Sequence, residues 1–179
     1  MFIPGAPQTG FVPGLPVGSP MIGQPAQPVE QQEETLPPEE DFDRSINYLA
    51  DYSGCGHWRM IWPSHLLNSH QKAVIHDTTM MVLDERWYDN TCSVRIQRQA
   101  THHQLEFVKM LRSFADKKNF KIIYEIDDIV FKEDIPDYNK FKPAFVDPSI
   151  RKCSMEIMSL CDEITVTNKF MQEYYREKT

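Results

Sequence analysis

Glycine is scarce over most of this 179-residue chain: five of its seven glycines fall in residues 1 to 40, and Gly54 and Gly56 are the only two in the remainder. Lysine and arginine are missing from those first 40 residues altogether, so the charged start of a secretory leader is not there. No stretch approaches the roughly 20 consecutive apolar residues that cross a bilayer, and a helical membrane span is not expected. The four cysteines, Cys55, Cys92, Cys153 and Cys161, form no C-x-x-C pair and have no histidine at finger spacing. The six histidines show neither H-x-x-x-H nor H-E-x-x-H. These absences point to reduced thiols, no bound metal and a cytoplasmic setting, that of the host if the protein is viral.

Charge is unevenly placed. The chain carries 19 basic and 26 acidic groups, but five of the acids lie in residues 1 to 40, so 41 to 179 has a net charge of only −2. Such a body has no basic field to gather a phosphate backbone, and nucleic acid is not an expected partner.

What the first 40 residues do hold is proline, nine of the chain's 13. Pro and Gly together disfavour helix and ladder alike, and an extended polyproline-like path with turns is expected. Phe2-Ile3-Pro4-Gly5-Ala6-Pro7 returns nine residues later as Phe11-Val12-Pro13-Gly14-Leu15-Pro16, with a looser echo at Met21-Ile22-Gly23-Gln24-Pro25. Solvated linkers are built from Gly, Ser and charge, whereas here each Pro-Gly turn is flanked by bulky apolar side chains. Phe2, Ile3, Pro4, Phe11, Val12 and Pro13 are therefore candidate docking residues toward subunits of a larger assembly. Residues 29 to 41, rich in Gln and Glu, form a polar connector, dividing the chain into an arm over 1–41 and a body over 42–179.

The body alternates short apolar runs with helical periodicity. The runs are Ile46 to Tyr52, Ala73 to His76, Cys92 to Gln97, Lys121 to Ile126 and Glu163 to Thr167. Between them, Leu105, Val108, Leu111 and Ala115 share one stripe of a helix over 102–118, and Ile150, Cys153, Ile157, Leu160 and Cys161 one of a helix over 148–161 that Pro148 opens. Strand and helix in alternation imply an α/β class, with a Rossmann-like parallel sheet and helices on both faces.

Parallel sheets gather function at the carboxyl ends of their strands. After the first run comes Ser53-Gly54-Cys55-Gly56-His57-Trp58-Arg59, a strand-to-helix loop whose amides can face a phosphate or sugar hydroxyl, or simply a tight turn. The third run leads to Arg98. The fourth ends in Asp127 and Asp128, paired acids that can bind a cation, act as a base, accept sugar hydroxyls or cap a helix or turn. The fifth leads to Thr167, a candidate N-cap.

These phrases, S-G-C-G-H-W-R with I-W-P, then I-Q-R, then Y-E-I-D-D-I-V-F, then C-D-E-I-T-V-T-N, resemble the N-terminal domain of GT-B glycosyltransferases of large tailed bacteriophages and bacteria, over residues 45 to 175. The resemblance implies one half of a two-domain enzyme, with the acceptor on this half and the nucleotide sugar, a donor substrate and not a cofactor, mostly on the other. It implies catalytic work at Asp127, Asp128 and His57, and substrate contacts from Gly54, Gly56, Arg59, Arg98 and Thr167. Transfer is then expected only with a donor domain supplied beyond Thr179. A second reading is a non-catalytic virion structural or decoration protein built on such a domain, its arm docked on neighbouring subunits.

Overall fold

Five short parallel strands organise the chain in the computed structural model, which describes residues 44–129, 135–140 and 142–178. The apolar repeats with Phe2, Ile3, Pro4, Phe11, Val12 and Pro13 lie outside the described residues, as do Val130 and Phe131. The first strand, β1 (Arg44–Tyr48), runs into a continuous helical stretch made of α1 (Gly54–Gly56), a π-helical turn (His57–Ile61) and α2 (Trp62–Ser69). Then follow β2 (Val74–Thr78), a 3-10 turn (Glu85–Tyr88), β3 (Thr91–Gln97), α3 (His102–Lys118) and β4 (Lys121–Glu125). The chain closes with α4 (Lys142–Val146), α5 (Pro148–Ser159), β5 (Glu163–Thr165) and α6 (Lys169–Arg176).

The strand order is β2-β1-β3-β4-β5 and every pairing is parallel. The α/β class read from the alternation of runs is therefore the observed one. The first strand ends sooner than the apolar run suggests. Leu49 still donates to Thr78 O at 2.8 Å, but the amide of Ala50 is taken by the side-chain Oε1 of Gln97 at 3.2 Å, and the backbone leaves the sheet.

The two faces of the sheet differ in chemistry. Ile46, Tyr48, Val94, Ile96, Ile122 and Tyr124 alternate onto one face, all buried, where they meet Leu105, Val108 and Leu111 of α3 and Ile157 and Met158 of α5. Tyr48 lies edge-on to Phe107 with ring centroids 4.9 Å apart. Its hydroxyl donates to Tyr88, whose own hydroxyl donates to Val82 O, both at 2.7 Å, so two buried phenols are satisfied in series. The opposite face is polar where α2 crosses it. Asn47 donates to Ser64 Oγ at 2.9 Å and to Asp77 Oδ1 at 2.8 Å, and Ser64 donates to Asp77 Oδ1 at 3.0 Å.

Local signals place the long helices. Thr101 and Gln104 close a capping box on α3, and Asn119 ends it in the left-handed region at φ 61°. Asp147 accepts from Ser149 N at 2.8 Å to cap α5, with Pro148 in its first turn. The helical stretch after β1 was not legible in the same way, because two glycines and Pro63 argue against helix there. The π-helical turn widens the helix just ahead of Pro63, whose ring would otherwise press on the carbonyl of Arg59.

Leu111→Ala, at a fully buried position, is expected to lower the unfolding free energy by about 2–5 kcal/mol, and Thr101→Ala by about 1 kcal/mol. Urea denaturation followed by circular dichroism checks both, and equal effects would contradict the placement of α3 over the core.

Candidate functional site

Strand order reverses at β1 and β3: the chain leaves β1 toward β2 on one side, and leaves β3 toward β4 on the other. The diverging connections open a crevice outside the carboxyl ends of these strands, the place where such sheets bind ligands. Residues 49 to 57 after β1, Arg98 to Thr101 after β3, and Ile126 to Ile129 after β4 all arrive there.

Two glycines fix the first of these segments. Gly54 has φ +46°, and a Cβ on Gly56 would overlap the carbonyl oxygen of Asp51. Gly56 thus lets the helical stretch close onto the loop. Ser53, at the head of that stretch, gives no side-chain cap, so the first amides are not held by it.

Arg98 ties the three segments together. It sits in the left-handed region at φ 49°, its Nη2 donates to Asp51 Oδ2 at 2.7 Å, and its Nε lies 3.6 Å from Asp127 Oδ1. That last separation is an ion pair and not a hydrogen bond, and both atoms are buried with no hydrogen-bond partner. Asp127 is 9% exposed, so it keeps an unpartnered carboxylate oxygen behind the loop. The neighbouring Asp127 carboxylate, as hydrogen-bond acceptor first, and then burial and its negative charge, push the Cys55 thiol up to about 11.

One step below, Arg59 pairs with Glu125, which is 3% exposed and has its second oxygen without a partner. Gln97, the register partner of Glu125, is fully buried with its amide nitrogen likewise unpaired. On the other side of the crest a cavity of about 290 Å³ opens between the strand ends and α5, lined by Asp51, Arg98, Tyr124, Asp128 and Arg151 among others. Tyr175 of α6 donates to the carbonyl of Asp128 at 2.5 Å and holds that wall.

Of the residues expected from sequence, Gly54, Gly56, Arg98, Asp127 and Asp128 come together at this edge. Arg59 lies nearby but is engaged by Glu125. The ring of His57 packs against Trp58 at 5.2 Å and Trp62 at 6.3 Å, on the helix and away from the paired acids. Thr167 is not the cap of α6: Asn168 accepts from Met171 N at 3.0 Å, while the Thr167 hydroxyl lies 2.9 Å from Met171 Sδ. Asn168 takes the role because it is the residue directly before the first helical one, with its backbone extended at φ −157° and ψ 170°. Sequence reasoning missed Asp51, Glu125, Gln97 and Cys55. Cys55 and Gln97 stood directly beside residues already singled out.

No family model, curated protein or solved structure matches the chain. Among the described residues, no helix is long and apolar enough to cross a membrane, and no group of three or more His, Cys, Asp and Glu side chains is placed to hold a metal ion.

Removing the charge of Asp127 should release the Cys55 thiol. Asp127→Asn is expected to lower the Cys55 pKa and speed its alkylation by iodoacetamide at mildly alkaline pH by about tenfold or more. Mass spectrometry of the modified peptides checks this, with the exposed Cys92 as internal reference. An unchanged rate at Cys55 would remove the thiol from contact with Asp127.

Proposed function

We propose that the body is a Rossmann-like, glycosyltransferase-like domain of the acceptor-binding kind, holding a sugar at the carboxyl edge of its sheet. The observation that carries this reading is the crevice at the strand-order reversal, walled by Asp51, Arg98 and Asp128 with the unpartnered oxygen of Asp127 behind it. Carboxylates on this edge outnumber the arginines left free to meet a phosphate, since Arg59 is spent on Glu125 and Arg98 on Asp51. Such a surface suits a polyol, whose hydroxyls donate to carboxylates, better than a diphosphate. The resemblance of the four sequence phrases to GT-B acceptor domains supports the same reading.

In that chemistry the acceptor hydroxyl donates to a carboxylate of the Asp127-Asp128 pair, which takes its proton as the oxygen attacks the anomeric carbon of a nucleotide sugar. The bond from that carbon to the departing diphosphate breaks, and the diphosphate carries off its electron pair. Donor binding falls to a second domain, and the apolar arm tethers the protein to a larger assembly.

Saturation-transfer difference NMR of the full chain with a panel of methyl glycosides tests the acceptor reading. Saturable signals are expected from at least one glycoside, weakened by about tenfold or more in Asp127→Asn combined with Asp128→Asn, because each change removes a charge-assisted hydrogen bond. Unchanged binding would take both aspartates out of the site, and no signal from any glycoside would overturn the reading.

A further inference from the structure

Two stretches of this chain are exceptional in the same respect. A quarter of all residues are charged, yet residues 1 to 29 contain no Asp, Glu, Lys or Arg, and residues 54 to 69 contain only Arg59. The guanidinium of Arg59 is already taken by Glu125.

The helical stretch also wears its apolar residues on the outside. Gly56, Met60 and Ser64 are its buried positions, four residues apart, so Met60 is the one large apolar side chain it buries, between a glycine and a serine. Trp58, Trp62 and Leu66 repeat with the same spacing on the exposed side, at 68%, 46% and 42% exposure, with Leu67 beside them at 42%. The rings are already ordered against one another. His57 meets Trp58 edge-on at 5.2 Å, and Trp62 lies tilted between His57 at 6.3 Å and His65 at 6.1 Å. A partner therefore meets a preformed row of rings with little side-chain freedom left to lose.

We propose that this row is the docking surface for the proline-rich arm of a second copy of the chain, with one Phe-(Ile/Val)-Pro-Gly-x-Pro motif laid along Trp58, Trp62 and Leu66. Proline-rich segments bind rows of exposed aromatic rings, because their extended form is preset and costs little entropy to fix. Neither surface carries a free charge, so burying one against the other strands none. The lengths agree. Trp58 to Leu66 spans about 12 Å of helix, and a six-residue motif in polyproline form covers about 19 Å. Residues 30 to 43, which take in most of the polar connector and lead up to β1, could span about 45 Å if fully extended, chain enough for the motifs to leave their own body. This inference rests on the reading of the arm as a docking segment and is independent of the acceptor site.

Sedimentation velocity of the full chain over a concentration series tests it. Reversible self-association is expected, weakened about tenfold or more in Trp58→Ser combined with Trp62→Ser, as for loss of two aromatic anchors. A synthetic peptide of residues 1–29 should dissociate the wild-type complexes by competition. Phe170→Ser, at a position of similar exposure on α6, should leave association unchanged. Association that yields to the peptide but survives the tryptophan changes would place the arm on another surface and overturn this assignment alone. Association that is lost with the tryptophans but ignores the peptide would mean that the helix faces pair directly, without the arm. A chain that stays monomeric throughout would sink both the surface and the docking reading of the arm.

Discussion

The close approach of Gly56 to the carbonyl of Asp51 is the constraint on which the carboxyl edge depends. It brings the head of the helical stretch down onto the loop after β1, and that loop presents Asp51 to Arg98. Arg98, held in a left-handed conformation directly after β3, then reaches toward Asp127 at the end of β4. Three strand ends are thereby locked through one guanidinium. Any side chain at position 56 must push the helix away from the loop, and the chain of contacts opens at its first link.

The same close approach decides which way the helix faces. With Gly56 inward, the helical period puts Met60 and Ser64 inward too, and Ser64 completes the polar trio with Asn47 and Asp77. The tryptophans at positions 58 and 62 are left outside. Placing three polar side chains under a helix, Asn47 and Ser64 fully buried and Asp77 partly so, while exposing two indoles runs against the usual pattern of folding, in which large apolar surface goes inside. The polar trio is satisfied and so costs little, but the exposed rings gain nothing from the fold of this body alone. Their placement makes physical sense only if something else covers them.

Much of the scaffold was legible because parallel strands and packed helices write simple periods. The stripe Leu105, Val108, Leu111 and Ala115 marked α3 directly, and Pro148 marked the start of α5. The helical stretch after β1 was hidden because its decisive residues are those that usually break helices, two glycines and a proline, and because its apolar pattern points outward. The candidate site was half legible. Gly54, Gly56, Arg98, Asp127 and Asp128 announce themselves by following strands. Asp51 and Arg98 are 47 positions apart, and no local pattern says that they pair. Glu125 read as an ordinary strand residue, although its burial beneath Arg59 makes it one of the more demanding charges in the fold.

The polar groups left without partners show where that demand is concentrated. Asp127 Oδ1, Glu125 Oε2, Gln97 Nε2 and Arg98 Nε are all buried without a hydrogen-bond partner at the ends of β3 and β4 and in the residues just after. Buried polar atoms are nearly always satisfied, so a cluster of four at one sheet edge is a cost the fold carries locally. Structural stability gives no reason to retain it, since apolar replacements of similar size would remove the penalty. A ligand rich in hydroxyls gives one, because each hydroxyl both donates and accepts and could meet carboxylate oxygens and amide or guanidinium hydrogens at once. On the proposed acceptor and docking readings, the two unusual features of this body, polar atoms without hydrogen-bond partners inside the edge and exposed rings outside the helix, have separate causes, and the single glycine at position 56 fixes which face of the helix is left outside.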